Sequence, residues 1–353
     1  MTASVAMVGL NHPHSGMYLE SLAALDEVEG IVLVDEDEAV LETTHVSKAR
    51  ARYRALGDAL ADSSVTHVLV ALPNDRTPAA LVRTIEAGKP VFTEKPGARS
   101  AAELRPVLDA LRRRPVPFAI AYLNRAAPAV QQIRELYRSG AIGRLTSVEL
   151  RMVTTQVAMR GPGHWLFKRQ IAGGGVLAWL GCHWLDALAY VTGEQVERVQ
   201  AQLATNSGEP IDVEDTAAVS FRTTGGAVGS MHAAYALAVG NPGYRNAGHD
   251  IVFVLRGTLG AIYYAGGRQE APLMLESVAP GWRGAQRRTY QFTPPPSPGY
   301  GGLAGLDYFR AFLAGGAADG VPADATDALR LLETLDAIYE AGRTGRAVTV
   351  RRS

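Results

Sequence analysis

The sequence predicts an α/β protein in two parts. A doubly wound parallel sheet comes first, followed by an α+β domain with a mostly antiparallel open sheet. Three observations predict it. Up to about residue 120, short apolar runs alternate with longer amphipathic ones, the pattern of strands joined by crossover helices. Those apolar runs are continuous rather than alternating, as strands covered on both faces must be. From 196 to 264 the chain instead carries closely spaced strand-like runs separated by turn residues, which suits hairpins. At 353 residues the length suits two domains, on a prior of ~100–200 residues each. The change of pattern divides them at 1–122 and 123–353.

Taken in order, strands are expected at 4–9, 30–34, 67–72, 90–93 and 117–121, and helices at 16–25, 47–56, 77–87 and 101–113. Pro78 just inside the third helix and Gly88 just after it are start and stop signals. The arginines at 112–114 read as a charge cluster on a helix C-terminus. Beyond 121, residues 128–137 read as a helix and 147–153 as a strand, and a glycine run then opens a helix over 176–191. Strands follow in "RVQAQLAT", "TAAVSFRT", "AVGSMHAAYAL", "DIVFVLRG" and "GAIYYAG", with "TTGG" as a hairpin turn between the second and third. "TPPPSPGYGG" is a loop, and 325–340 is a closing helix. No internal repeat has a fixed period.

Composition narrows the partners. Lys plus Arg and Asp plus Glu number 35 each, so no net field draws the chain to nucleic acid or anionic lipid. The single cysteine, Cys182, excludes an intramolecular disulfide and a cysteine-based zinc site. The N-terminus enters an apolar strand with no basic n-region, and no apolar run reaches the ~18–20 residues of a membrane span. A cytoplasmic protein without a signal peptide is expected.

"MVGLNHPHSGMYLESL" has the position of a dinucleotide-binding turn: a strand, Gly9, then a helix. The second strand ends in Asp35, 26 residues after Gly9. In such a unit the first glycine permits the tight turn, the helix N-terminus holds the pyrophosphate, and the acidic residue bonds a ribose hydroxyl. Glu36 and Asp37 extend the acidic run and would repel a 2′-phosphate, which favours NAD over NADP. The second and third glycine positions hold Asn11 and His14. Asn11 tolerates the left-handed conformation better than most residues. On these residues alone the stretch is either a nucleotide site or an ordinary strand–helix turn. His12 and His14 form an H-x-H pair that could ligate a metal, but no acidic or further histidine partner lies nearby in sequence, and no metal is expected.

"VTHVLVALPNDRTPAALVRTIEAGKPVFTEKPGARS" places Pro73 and Asn74 at the end of one strand and Glu94-Lys95-Pro96 at the end of the next. Ligands bind at the carboxyl ends of strands in open α/β sheets, so Lys95 is either a proton-transfer group or a surface lysine in a turn. With "EKP" following "AGKPV" at this spacing, the chain resembles the Gfo/Idh/MocA oxidoreductases, which pair an N-terminal Rossmann domain with a C-terminal α/β domain. The likeness continues through "AYLNRAAPAVQQIRELYRSGAIGRLTSVEL", "GGGVLAWLGCHWLDALAYVTG", "VEDTAAVSFRTTGGAVGSM" and "AIYEAGRTGRAVTV", covering nearly the whole chain in the family's order.

The resemblance implies a nicotinamide-dependent dehydrogenase acting on a hydroxyl or keto carbon of a sugar, cyclitol or related polyol. Its NAD site would include Gly9, Leu10, Asn11, His12, His14, Asp35, Pro73, Asn74, Glu94 and Lys95. On the helix over 176–191, Trp179, His183 and Asp186 are spaced i, i+4, i+7 and share a face. The family usually has an Asp where Trp179 stands, acting with the His and the EKP lysine. Here Lys95, His183 and Asp186 are the expected catalytic residues, with Trp179 as a wall against a sugar face. The resemblance implies substrate contacts from Tyr122, Asn124, Arg125, His164 and Trp165. Thr77 stands where many members have a His. A homodimer or homotetramer through the open sheet is expected. Two other outcomes stay open: a nucleotide- or sugar-binding protein without turnover, and an enzyme that recycles tightly bound NAD within a lyase or hydrolase cycle.

Overall fold

The computed structural model describes residues 2–238, 248–266, 272–293, 295–316 and 321–352. Its contacts form two units: Met1–Ala126 with Pro294–Leu329, and Ala127–Thr293 with Arg330–Ser353. The sequence division at 122/123 is contiguous, whereas the first unit also takes 294–329.

The first unit is built on β1 (Ala3–Val8), α1 (Ser15–Ala24), β2 (Val28–Val34), α2 (Glu38–Thr43), β3 (Ala49–Tyr53), α3 (Leu56–Ala61), β4 (His67–Val70), α4 (Thr77–Glu86), β5 (Val91–Thr93), α5 (Ala101–Arg113) and β6 (Phe118–Ile120). The six strands are parallel in the order β3-β2-β1-β4-β5-β6. This is the doubly wound order of a dinucleotide-binding fold, and it reverses between β1 and β4, the place where such folds bind ligands. The stretch expected as a helix over 47–56 is the edge strand β3. In "ARARYR" the less exposed Ala49, Ala51 and Tyr53 alternate with Arg50 and Arg52. Period-2 spacing defines a strand, and the good helix formers Ala and Arg hid it.

Residues 294–329 join this unit through aromatic packing. The Gly302–Leu313 helix brings Phe309 against Phe92 of β5, with ring centroids 4.5 Å apart. Tyr308 is wholly buried; its hydroxyl donates to the Ile120 carbonyl at 2.6 Å and accepts from the Ala323 N–H at 2.7 Å. A buried phenol needs such partners, and these tie the returning segment to β6.

The second unit carries α6 (Pro128–Arg138), α7 (Arg169–Ala172), α8 (Cys182–Thr192) and a nine-stranded sheet. Its strands are β7 (Leu145–Thr155), β8 (Val196–Ala204), β9 (Thr216–Thr223), β10 (Val228–Leu237), β11 (His249–Gly257), β12 (Gly260–Tyr264), β13 (Leu273–Ser277), β14 (Arg287–Tyr290) and β15 (Val348–Thr349). The order is β14-β13-β12-β11-β7-β10-β9-β8-β15; β7 and β10 pair in parallel and every other pair is antiparallel. β9 alternates buried Ala217, Val219 and Phe221 with exposed Ala218, Ser220 and Arg222, so one sheet face is core and the other open. The "TTGG" hairpin forms as expected, closed by Thr223 N–H to the Ala227 carbonyl.

One correction concerns membranes. The helical run Arg169–Thr192 is long and apolar enough by composition to cross one, where the sequence reading found no such run. In its most apolar window 83% of residues are buried inside the protein, the setting of a core helix.

Candidate active site

The turn after β1 is a backbone device. Gly9 has φ +87°, and a Cβ there would sit 2.3 Å from the Ala71 carbonyl oxygen just beyond β4. Only glycine meets both demands. Its N–H donates to the Val34 carbonyl at 2.9 Å, and its carbonyl accepts from the Ser15 hydroxyl at 2.7 Å. Asp35, at the end of β2, accepts the Leu10 N–H at 2.7 Å and the Asp37 N–H at 3.0 Å. The acidic residue and the glycine turn, separated by α1 in sequence, are therefore one hydrogen-bonded unit. α1 begins without a side-chain cap and with no acidic residue in its first turn. Of the other turn positions, Asn11 is exposed, and His12 and His14 are buried.

Glu94 and Lys95 end β5 with 2% and 1% exposure, so Lys95 is no surface residue. Glu94 bonds His14 Nδ1 through one oxygen and the Lys95 backbone N–H through the other. Burial works against the Glu94 charge, but His14 and Lys95 hold its carboxyl well below the usual carboxylate range. The acidic partner that the H-x-H pair lacks in sequence is thus supplied by the fold: His12, His14 and Glu94 each bring one atom within 4.8 Å of the others. Their hydrogen bonds describe donors rather than a cation cage. His12 Nδ1 accepts the His14 N–H at 3.2 Å, and a backbone N–H can only donate. The neutral His12 ring then carries its proton on Nε2, while Glu94 is already matched by His14.

Asn74 is buried and Pro73 half-buried beyond β4. Thr77 turns its hydroxyl back to the Leu72 and Pro73 carbonyls at 3.1 and 3.0 Å, fastening the start of α4. Tyr122 is wholly buried and Asn124 half-buried. Arg125 is buried and paired with Asp327 at 2.8 Å, within the first unit. That pairing already balances the guanidinium expected to hold substrate.

In the second unit, the helix read as one α-helix over 176–191 begins with a π turn, Leu177–Gly181, and becomes α8 at Cys182. Cys182 N–H reaches back to the Leu177 carbonyl, five residues earlier. Across the wider turn α-helical i, i+4 geometry does not apply between Trp179 and His183, while His183 and Asp186 keep their i, i+3 spacing within α8. All three side chains are buried. Trp179 meets Trp165 edge to face, with centroids 6.3 Å apart. His164 accepts the Leu166 N–H at 3.3 Å, and its ring is held below the usual histidine range by burial and then by Lys168.

The residue that sequence reasoning missed here is Glu214. Its buried carboxylate accepts the Gly175 N–H at 2.9 Å, the Leu177 N–H at 3.1 Å and the Tyr339 hydroxyl at 3.0 Å. Burial pushes this carboxyl above its usual value against the pull of those donors. It serves the orphan amides at the start of the helix that carries Trp179, His183 and Asp186. A Cβ on Gly175 would lie 1.9 Å from the Glu214 carbonyl oxygen, which explains a glycine there. The signal was present: a glycine run opening a helix needs an acceptor, and "VED" supplies one. Glu214→Ala should lower unfolding free energy by about 2–4 kcal/mol by leaving buried amides unpaired. Chemical denaturation checks this, and an unchanged midpoint and slope would remove Glu214 from the role.

Two family models match the chain. One, described as an oxidoreductase family with an NAD-binding Rossmann fold, covers residues 3–122. The other, described as the GFO/IDH/MocA C-terminal domain, covers 130–263. Levoglucosan dehydrogenase of Pseudarthrobacter phenanthrenivorans is 29% identical over 296 residues, 72% of this chain and 73% of that protein. D-Glucoside 3-dehydrogenase of Escherichia coli is 35% identical over 113 residues, 31% of this chain and 30% of its own length. A solved structure of levoglucosan dehydrogenase in complex with NADH and levoglucosan matches with a TM-score of 0.82 at 25% identity, covering 100% of both chains.

Proposed function

Because the chain belongs to the Gfo/Idh/MocA family of oxidoreductases and carries its NAD-binding domain, we propose that it is an NAD-dependent dehydrogenase acting on a CH–OH carbon of a sugar or related polyol. One observation carries the reading. The Gly9 turn, Asp35 and the Glu94–Lys95 pair all lie at the carboxyl end of one parallel sheet, where such sheets bind ligands. The likeness to levoglucosan dehydrogenase and to a glucoside dehydrogenase supports a sugar.

The residues fit a dinucleotide. The uncapped start of α1 suits a diphosphate, with His12 and His14 adding side-chain donors beside it. Asp35 uses two acceptor sites on backbone amides and, as a carboxylate, keeps others for a ribose hydroxyl. Leu10, Asn11, Pro73 and Asn74 complete the proposed cofactor contacts. Bound there, NAD would supply the hydride acceptor needed to oxidise a carbinol carbon to a carbonyl. Lys95, as the neutral amine, takes the hydroxyl proton at Nζ. His183 and Asp186 are proposed to orient a substrate hydroxyl, and Trp179 with Trp165 to present apolar surface to a sugar ring. Tyr122, Asn124 and His164 are proposed as further contacts, with Arg125 held to positioning by Asp327. A cytoplasmic homodimer or homotetramer formed through the open sheet face completes the proposal.

Incubation with NAD and a panel of aldoses, anhydrosugars and cyclitols, with NADH fluorescence as the readout, tests the reaction. A sugar that yields NADH and a keto product is expected; tight NADH binding with no turnover on any member favours the binding-protein alternative. For the cofactor, Asp35→Ala should weaken NADH about tenfold, the loss of ~1.4 kcal/mol from a charged hydrogen bond. It should also narrow the preference over NADPH. Titration of both nucleotides checks this; unchanged NADH affinity would place the ribose contact elsewhere.

A further inference from the structure

The third glycine of a dinucleotide-binding turn is small so that helix and strand can pack closely. Here that position is His14, and its imidazole is buried in the packing (7% exposed). It reaches from the turn after β1 to Glu94 at the end of β5, with β4 lying between those strands. The second Glu94 oxygen accepts the backbone N–H of Lys95. The carboxylate is thus fixed at both oxygens, one of them on the main chain of the proposed proton acceptor. The Tyr300 ring lies over His14 with centroids 4.2 Å apart and planes 33° apart, and Tyr18 stands one helical turn on. Among the described residues, the titratable or charged groups facing the pair include His12 from the turn, Lys95 from β5, Tyr18 from α1 and Tyr300 from the returning segment.

We propose that His14 is a positioning residue for Lys95. Its protonated ring neutralises Glu94 and fixes the carboxylate on the Lys95 backbone amide, so the Lys95 side chain accepts its proton beside a neutral pair rather than a bare carboxylate. The physics has one sign. An uncompensated anion next to an amine favours the ammonium form, and removing the neighbouring imidazolium favours it further. An amine held as ammonium cannot take a hydroxyl proton. The inference rests on the dehydrogenase reading for its consequence, but its electrostatic core can be measured without turnover.

Four lysines occur in the chain, Lys48, Lys89, Lys95 and Lys168, so lysine labelled with ¹³C at Cε gives a simple spectrum in which Lys95→Arg identifies the resonance. The Lys95 titration is compared in wild type, His14→Ala and His14→Gln, alongside the pH profile of kcat/KM. In His14→Ala the Lys95 midpoint should rise by about one pH unit, the scale of a close charge, and the acid limb of the rate profile should move with it. His14→Gln restores a donor to Glu94 without the charge; turnover at high pH should recover while the midpoint stays raised. A Lys95 midpoint unchanged in both variants overturns the proposal, leaving His14 as packing. If no sugar is turned over, the dehydrogenase reading fails, while the Lys95 midpoints still decide the His14–Glu94 coupling.

Discussion

Lys95→Ala should lower kcat by about 10²–10⁴-fold, the usual worth of a positioned proton-transfer group. NADH affinity should change far less. The expectation comes from placement. Lys95 is 1% exposed at the carboxyl end of an interior strand, and its main chain is fixed by Glu94. A buried lysine without a chemical or structural task is costly, because its stem orders and its charge leaves water. Steady-state kinetics with the best sugar of the panel, paired with an NADH titration, separates the two effects. Near-normal turnover would take Lys95 out of the chemistry. A loss confined to KM would make it a binding residue.

The second large effect is Gly9→Ala. An alanine must adopt φ +87° and place its Cβ 2.3 Å from the Ala71 carbonyl oxygen. That atom is backbone and cannot rotate aside, so the segment beyond β4 must move away from the turn. Strain and overpacking of this kind cost about 2–4 kcal/mol together. The Leu10 N–H bond to Asp35 lies in the same turn, so NADH affinity should fall at least as far as in Asp35→Ala. Thermal unfolding and nucleotide titration of one preparation check both. Wild-type stability with wild-type affinity would mean that the turn tolerates a side chain.

What the sequence revealed followed the length scale of each interaction. α5 at Ala101–Arg113 and β9 at Thr216–Thr223 match the expected ranges, because periodicity and end signals are local. The placement of Asp35 beside the Gly9 turn was legible as well, since the doubly wound fold dictates where the second strand ends relative to the turn. β3 was misread because Ala and Arg favour helix, whereas pairing with β2 decides its state. The π turn at Leu177–Gly181 leaves no trace in residue spacing, because one extra residue per turn is a matter of packing. The remaining features are long-range side-chain bonds: His14 to Glu94 across 80 positions, Gly175 to Glu214 across 39 and Arg125 to Asp327 across 202. Composition and spacing carry no record of such pairs. His14 was nevertheless singled out, because a histidine stands where the turn's third glycine belongs, and Arg125 through the family resemblance.

The most direct test of the account is the origin of the hydride. The protein is incubated with NAD and its best sugar substrate deuterated at every ring carbon, and the NADH formed is weighed by mass spectrometry. NADH carrying one deuterium, formed together with a keto sugar, is the predicted result. Unlabelled NADH, or a sugar product formed with no net NADH, would contradict direct transfer from a carbinol carbon.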